Sequence, residues 1–321
     1  MLRTQPGSGG QIGREPCVPG PPLILRRPHP AVLAAGHACV ALLSMLRALP
    51  PEIAARCLRP ALLLYPRFRP RHVSRLRACF AASPFADRLD VPGYYAARLR
   101  LLLEGLRAHG RDAAPGTKVE GMEHYLEALA EGRPVALVGL HAGPLEELHR
   151  IPPAPEGRPF RILTVPAFSP PLTAFMARGR RSAGKEILWI GSRGPQRSKA
   201  GQRPEAERRL EAGLRRIIAG NGVLALMADQ HPGQPEACEY LALWDRVRVP
   251  YPGRLLRFLT KAGFLFVPVS VRRGTDGSSA FRFHPATREA SPASIRAFLE
   301  EAISRAPEQW NWSYPKIGVH G

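Results

Sequence analysis

The residues of this chain best suited to chemistry are His141 and Glu146, which are separated by four residues. The unbroken apolar run 135–140 precedes the histidine and predicts a strand buried on both faces of a parallel sheet. Pro144 suits the first turn of a following helix, so His141 is expected at the strand's carboxyl end, where open α/β sheets bind ligands. A base oriented by a carboxylate can deprotonate a hydroxyl group. The alternative is an ordinary hydrogen-bonded histidine, because this spacing also arises by chance.

A second apolar run also ends in polar side chains. Residues Gly222–Ala228 predict a buried strand, and Asp229, Gln230 and His231 follow it. The carboxyl ends of parallel strands meet at one edge of a sheet, so the repeated arrangement predicts a shared crevice. The alternative for Asp229 is a side chain that only stabilises a turn.

The elements needed to position these residues are predicted by helix and strand patterns that alternate from residue 117 onward. Thr117–Glu120 fits a capping box that opens a helix, which Gly132 ends. Further strands are predicted at 161–167, 187–190 and 264–271, and helices at 204–219 and 252–262. The expected fold is α/β, with a central mostly parallel or mixed sheet flanked by helices.

Composition shifts divide the chain into three predicted regions. Residues 1–30 are a Pro- and Gly-rich tail expected to be disordered, 31–110 a helical membrane-associating region, and 111–321 the α/β domain. The apolar run 31–46 is roughly 24 Å long as a helix, short of the ~30 Å hydrocarbon core. It therefore predicts an anchor lying in or dipping into a membrane surface, with a buried amphipathic core helix as the alternative.

The chain is strongly basic, with 46 Lys and Arg against 26 Asp and Glu, a formal charge of +20. This excess favours an anionic membrane surface, an acidic carrier protein or nucleic acid. Arginines between residues 67 and 100, among them Arg75 and Arg98, predict a basic face beside the apolar run, and a solvated face is the alternative. The aromatic interleaving of single-strand nucleic-acid binders is missing. Neither a zinc site nor a disulfide framework is indicated, because the five cysteines lie far apart without a CxxC pair.

Four blocks of the sequence, taken in order, resemble the bacterial lipid A biosynthesis acyltransferases of the lauroyl/myristoyl type, within the lysophospholipid acyltransferase superfamily. The blocks are Val73–Phe80, Leu137–Glu146, Gly222–Gln230 and Pro307–Trp312. The chain departs from the family pattern between His141 and Glu146, at Arg75 in place of Asn, and after Trp312, where a basic run is replaced. It is therefore similar to a diverged member of the family.

The resemblance implies transfer of a fatty acyl chain from an acyl carrier protein or coenzyme A thioester to a hydroxyl of a lipid A-type glycolipid. It also implies a location at the cytoplasmic face of the inner membrane, either peripheral or held by one N-terminal anchor. The thioester is a co-substrate, and no other cofactor, metal or nucleic acid is expected.

The resemblance assigns catalytic roles to His141, Glu146 and Arg181, and substrate binding to Arg178, Asp229 and Gln230. His141 would take the hydroxyl proton, Glu146 would hold its tautomer, and Arg181 would stabilise the oxyanion, with Arg178 as second choice. Asp229 and Gln230 would line the acceptor side.

Three alternatives remain. One is an acyltransferase acting on another phospholipid or glycolipid. A second is an inactive basic protein of the same fold that binds membranes or nucleic acid, and the third is a hydrolase in which His141 activates water.

Overall fold

The structure is a computed structural model that describes residues 29–49, 53–54, 56–58, 60, 69–108, 117–144, 158–165, 169–181, 185–190, 205–231, 238–274 and 276–319. Residues 1–28, most of the predicted tail, and Glu146 lie outside these ranges. The helices are α1 (Pro30–Ala48), α2 (Pro70–Ala82), α3 (Val91–Ala108), α4 (Met122–Ala130), α5 (Pro170–Arg181), α6 (Glu205–Ala219), α7 (Gly253–Lys261) and α8 (Pro292–Arg305). The strands are β1 (Lys118–Glu120), β2 (Val135–Gly139), β3 (Phe160–Thr164), β4 (Glu186–Trp189), β5 (Val223–Met227), β6 (Glu239–Leu243), β7 (Val247–Tyr251), β8 (Leu265–Arg273), β9 (Ser279–Phe283) and β10 (Gly318–Val319).

A seven-stranded sheet in the order β1-β9-β8-β2-β5-β3-β4 forms the centre of the described fold. Its strands pair in parallel except for β8 and β9, which are antiparallel. The predicted α/β class, with a mostly parallel central sheet flanked by helices, is confirmed.

Strand β2 occupies the middle of the sheet and is buried along its whole length. Ala136 and Val138 belong to one apolar core, shared with α6, α7 and α8, whereas Val135 and Leu137 belong to a second, shared with α4. Successive side chains of a strand point to opposite faces, so a strand covered on both faces must be apolar at every position. This explains the unbroken run before His141.

Helix α1 leaves much of its apolar surface exposed, including Val32, Leu42 and Met45. It approaches α5 at Gly36, where an added Cβ would lie 2.4 Å from Ser169 Oγ. The segment thus packs on one side, at Gly36 and Leu46, and leaves apolar side chains exposed elsewhere. Its contact with a membrane stays a prediction. In the described part of the chain, every helix is too short or too polar to cross a membrane.

The predicted capping box at Thr117–Glu120 is wrong. Residues Lys118–Glu120 form β1, which pairs in parallel with β9, and Gly121 turns the chain with φ +71° before α4 begins. Pairing with the edge of the sheet outweighs the local capping signal, since β1 gains backbone hydrogen bonds there. The predicted end of the helix at Gly132 is confirmed, because α4 ends at Ala130 and Gly132 has φ +68°.

We expect Gly121→Ala to destabilise the protein more than Gly132→Ala. Both glycines have positive φ, which costs an alanine about 1–2 kcal/mol. Only at Gly121 would the new Cβ meet backbone, 2.2 Å from the Phe283 carbonyl oxygen, whereas nothing lies within 4 Å at Gly132. The clash should add about 1–3 kcal/mol. Urea unfolding of both variants measures the difference, and equal losses would contradict the close approach of α4 to β9.

Candidate active site

His141 and Asp229 follow neighbouring strands and contact each other directly. The last residues of β2 and β5, Gly139 and Met227, are paired in the sheet register. His141 Nδ1 lies 2.8 Å from Asp229 Oδ1, and the His141 backbone N–H donates to Asp229 Oδ2 at 2.8 Å. Two contacts to one carboxylate fix both the position and the plane of the imidazole ring. Polar groups that follow β2 and β5 therefore lie together at this edge of the sheet.

A third donor reaches the carboxylate from the end of the chain. Trp310 is fully buried, and its indole Nε1 donates to Asp229 Oδ2 at 2.8 Å. The Trp310 segment is held against the histidine loop by an antiparallel bridge to Ala142 and by the Asn311 N–H, which donates to the His141 carbonyl at 2.8 Å. In the sequence, Trp310 is marked only by the family resemblance of its block. A signal for its role is that a tryptophan, when buried, needs an acceptor for its indole N–H.

The charge state of the pair follows from these contacts. Burial would raise the pKa of Asp229, but the charge and two hydrogen bonds of His141, together with the indole N–H, hold the pKa below its ordinary value. The carboxylate is therefore ionised at neutral pH and can only accept hydrogen bonds. When the imidazole is neutral, its hydrogen must therefore be on Nδ1, which leaves Nε2 with a lone pair. This is the tautomer of a general base.

The two side chains differ in access to solvent. The Asp229 side chain is 1% exposed, whereas that of His141 is 22% exposed. A substrate can therefore reach the imidazole but not the carboxylate. This arrangement suits a general base whose ring is oriented by a buried carboxylate.

Arg98 lies inside the site and not on a basic surface as predicted. It is half-buried, and its guanidinium donates to the Gln309 carbonyl oxygen at 3.3 Å. The same oxygen accepts the N–H of Gly143, two residues after the histidine. Burial lowers the pKa of Arg98, and the neighbouring Tyr94 and Asp229 offset part of that shift. A cation therefore lies near the histidine–aspartate pair.

Arg75 also turns inward. Its guanidinium donates to the carbonyls of Ser313, at 3.1 Å, and Pro315, and contacts His72. Arg75 is one of the positions where the chain departs from the family pattern. Here it tethers the segment that follows Trp312.

Within the described part of the chain, the structure shows no hydrogen bond between the other predicted site residues and the His141–Asp229 pair. Gln230 follows Asp229 and is half-buried, and Arg178 is exposed on α5. Arg181 is the last residue of α5, a helix that connects the parallel strands β3 and β4. Such a connection returns the chain to the amino ends of the strands, the edge opposite His141. The roles given to Glu146, Arg178, Arg181 and Gln230 stay predictions.

A histidine–carboxylate pair at the carboxyl ends of a mostly parallel sheet is an arrangement that can remove a proton from a bound substrate. Residues 26–317 match the sequence model of one family, described as bacterial lipid A biosynthesis acyltransferase. Because the match spans most of the chain, this protein belongs to that acyltransferase family, as the resemblance predicted. A comparison with curated proteins found no match.

We expect Trp310→Phe to lower the free energy of unfolding by about 1.5–3 kcal/mol, since it removes a hydrogen bond to a charged group. Trp312→Phe is the matched control, because that indole donates to the neutral carbonyl of Pro307, and a loss of about 0.5–1.5 kcal/mol is expected. Urea unfolding at pH 7 measures both.

The pH dependence separates the two variants further. A depressed carboxyl pKa stabilises the folded state above the unfolded pKa, and this contribution disappears as the pH falls through the folded pKa. Trp310→Phe should raise the pKa of Asp229, so its deficit should shrink in acid, whereas the Trp312→Phe deficit should not. A Trp310→Phe deficit that is the same at every pH would contradict the assignment.

Proposed function

We propose that this protein transfers a fatty acyl chain from a thioester donor to a hydroxyl of a lipid A-type glycolipid. The observation that carries the proposal is the His141–Asp229 pair, in a chain of an acyltransferase family. The donor is an acyl carrier protein or coenzyme A thioester, and the reaction uses no other cofactor and no metal.

In the proposed mechanism, His141 Nε2 takes the proton of the acceptor hydroxyl as its oxygen attacks the thioester carbonyl. Asp229 stabilises the imidazolium that forms. The tetrahedral intermediate then expels the donor thiolate, which takes the proton back from Nε2. General-base assistance of this kind is worth about 10²–10⁴-fold in rate.

The oxyanion of the intermediate needs a positive partner, and Arg98 is the group best supported for it. Its guanidinium is close enough to the pair to interact with the charge of Asp229. Arg181 is less suited to this role, because it ends α5 at the edge of the sheet opposite His141.

The exposed apolar side chains of α1 support association with a lipid surface. Val32, Leu42 and Met45 present apolar area to solvent, and an interfacial helix buries such area in the headgroup boundary. We place the protein at the cytoplasmic face of the inner membrane, peripheral or with one N-terminal anchor, where the positive charge also favours anionic lipid.

A second candidate keeps the reaction and changes the acceptor to another phospholipid or glycolipid. The departures between His141 and Glu146 and after Trp312 favour it. Labelled acyl donor supplied with a lipid A precursor, or with a total lipid extract, distinguishes the two acceptors.

The decisive test compares His141→Gln, Asp229→Asn and Glu146→Gln with the parent protein in this labelled-acyl assay. His141→Gln should lose at least about 10²-fold in kcat, since the base is gone. Asp229→Asn should lose about as much, because the neutral amide cannot stabilise the imidazolium.

Glu146→Gln decides which carboxylate orients the histidine. We expect a smaller loss than for Asp229→Asn, because Asp229 already occupies Nδ1. Full activity of the His141 variant would overturn the mechanism. A larger loss for Glu146→Gln than for Asp229→Asn would return the orienting role to Glu146.

Arg98→Gln should lower kcat by about 10²–10³-fold with little change in KM, as loss of an oxyanion partner does. Arg77→Gln is the control, because Arg77 is an exposed arginine of α2. Initial rates over a range of donor concentrations separate kcat from KM. A raised KM with unchanged kcat would assign Arg98 to substrate binding and not to the transition state.

A further inference from the structure

A thiol, an imidazole and an ammonium group come together beside the candidate active site. Cys238 Sγ lies 3.2 Å from His231 Nδ1, and Lys316 Nζ donates to the same sulfur at 3.4 Å. Cys238 is half-buried, so small molecules can reach it. The mechanism above uses none of these three side chains.

The cluster is anchored close to the catalytic carboxylate. His231 is two residues after Asp229, so their Cα atoms are at most about 7 Å apart. The His231 carbonyl accepts hydrogen bonds from Tyr314 Oη and Lys316 Nζ, both at 2.8 Å. The terminal segment that supports Asp229 through Trp310 thus also fixes this cluster.

Among the side chains that contact Cys238 are a possible proton acceptor, His231, and a cation, Lys316. Burial lowers the pKa of His231, and Lys316 and Arg254 lower it further against the opposing effect of Glu239. The imidazole is therefore neutral at pH 7 and can accept a proton. The negative charge of Glu239 is held by Arg257 through two hydrogen bonds of 2.7 Å.

A neighbouring ammonium stabilises a thiolate, and the thiolate is the nucleophilic form of cysteine. We propose that Cys238, with His231 and Lys316, is a nucleophilic thiol site that accepts an acyl group from a thioester by exchange.

His231 takes the proton of Cys238, and the sulfur attacks the thioester carbonyl. A bond forms from Cys238 Sγ to the acyl carbon, the bond to the donor sulfur breaks, and the departing thiolate takes the proton from His231. One thioester replaces another, so the step needs no energy source and is reversible. The choice of a thioester as donor rests on the proposed function, whereas the reactivity of the thiol does not.

The other described cysteines provide internal controls. Cys57 is exposed and Cys39 is half-buried. Burial raises the pKa of the Cys79 thiol to about 11, although Arg75 opposes the shift, so Cys79 should be inert. Exposure alone therefore predicts that Cys57 reacts first, whereas the proposal predicts that Cys238 does.

Alkylation rates test the nucleophile. The folded protein is treated with iodoacetamide at pH 7, and each cysteine is followed by peptide mass spectrometry. Cys238 should react at least about tenfold faster than Cys57, and Lys316→Met or His231→Gln should remove most of that advantage. Lys316→Arg, which keeps the charge, should retain it. Faster reaction at Cys57, or unchanged rates in both disruptive variants, would overturn the proposal.

Acyl exchange is tested with lauroyl-coenzyme A in the absence of any acceptor lipid. An acyl adduct on Cys238 is expected, released by neutral hydroxylamine, reversed by excess free coenzyme A and missing in Cys238→Ser. Rapid alkylation without this adduct would disprove the acyl-accepting role.

The variant His141→Gln separates this proposal from the proposed function. It should still load Cys238, because the exchange uses His231, while losing transfer to lipid. Loss of loading in His141→Gln would show that the adduct depends on the main site. Acylation of Cys238 together with undiminished acyl transfer to lipid would overturn the proposed function of His141 and still support the thiol site.

Discussion

The buried charge of Asp229 is the constraint on which the rest of the site depends. A carboxylate removed from water costs several kcal/mol unless it is paired and hydrogen-bonded. Here the His141 imidazole, the His141 backbone N–H and the Trp310 indole all donate to it. These donors come from the end of β2 and from the terminal segment, while the acceptor follows β5. The charge of Asp229 is stabilised only when the end of β2, the end of β5 and the Trp310 segment are assembled. The tertiary fold and the orientation of His141 are therefore established together.

This dependence joins the helices before residue 110 to the α/β domain. Arg75 of α2 and Arg98 of α3 donate to carbonyls of the terminal segment, and Tyr94 accepts the N–H of Ser313. Phe80 packs edge-on against Trp312 with ring centroids 5.4 Å apart. The domain boundary predicted at 110/111 stays a prediction, but the support of the site crosses it. Helices α2 and α3 and the α/β domain are thus mechanically coupled through one short segment.

Strands β2 and β5, and the position of His141 after β2, are predictable because their apolar runs are local and burial on both faces requires apolar residues throughout. The partner of the histidine was not, since it depends on the register between β2 and β5, which are far apart in sequence. Glu146 was preferred because it is near in sequence, whereas Asp229 is near in space. The hairpin of β6 and β7 is not predicted, because its turn places Trp244 at positive φ beside Asp245, and a tryptophan is not a typical turn residue.

The spatial arrangement of the arginines also matters for interpreting the net charge. A formal +20 suggests a strongly positive surface, yet several arginines are used inside the fold. Arg161 is buried and pairs with Glu186 at 2.6 Å, and Arg273 pairs with Glu104 at 2.9 Å. Arg98 places its charge near Asp229 in the candidate active site. These two ion pairs are neutral, so the excess positive charge comes from other residues, among them the exposed Arg71 and Arg77 of α2.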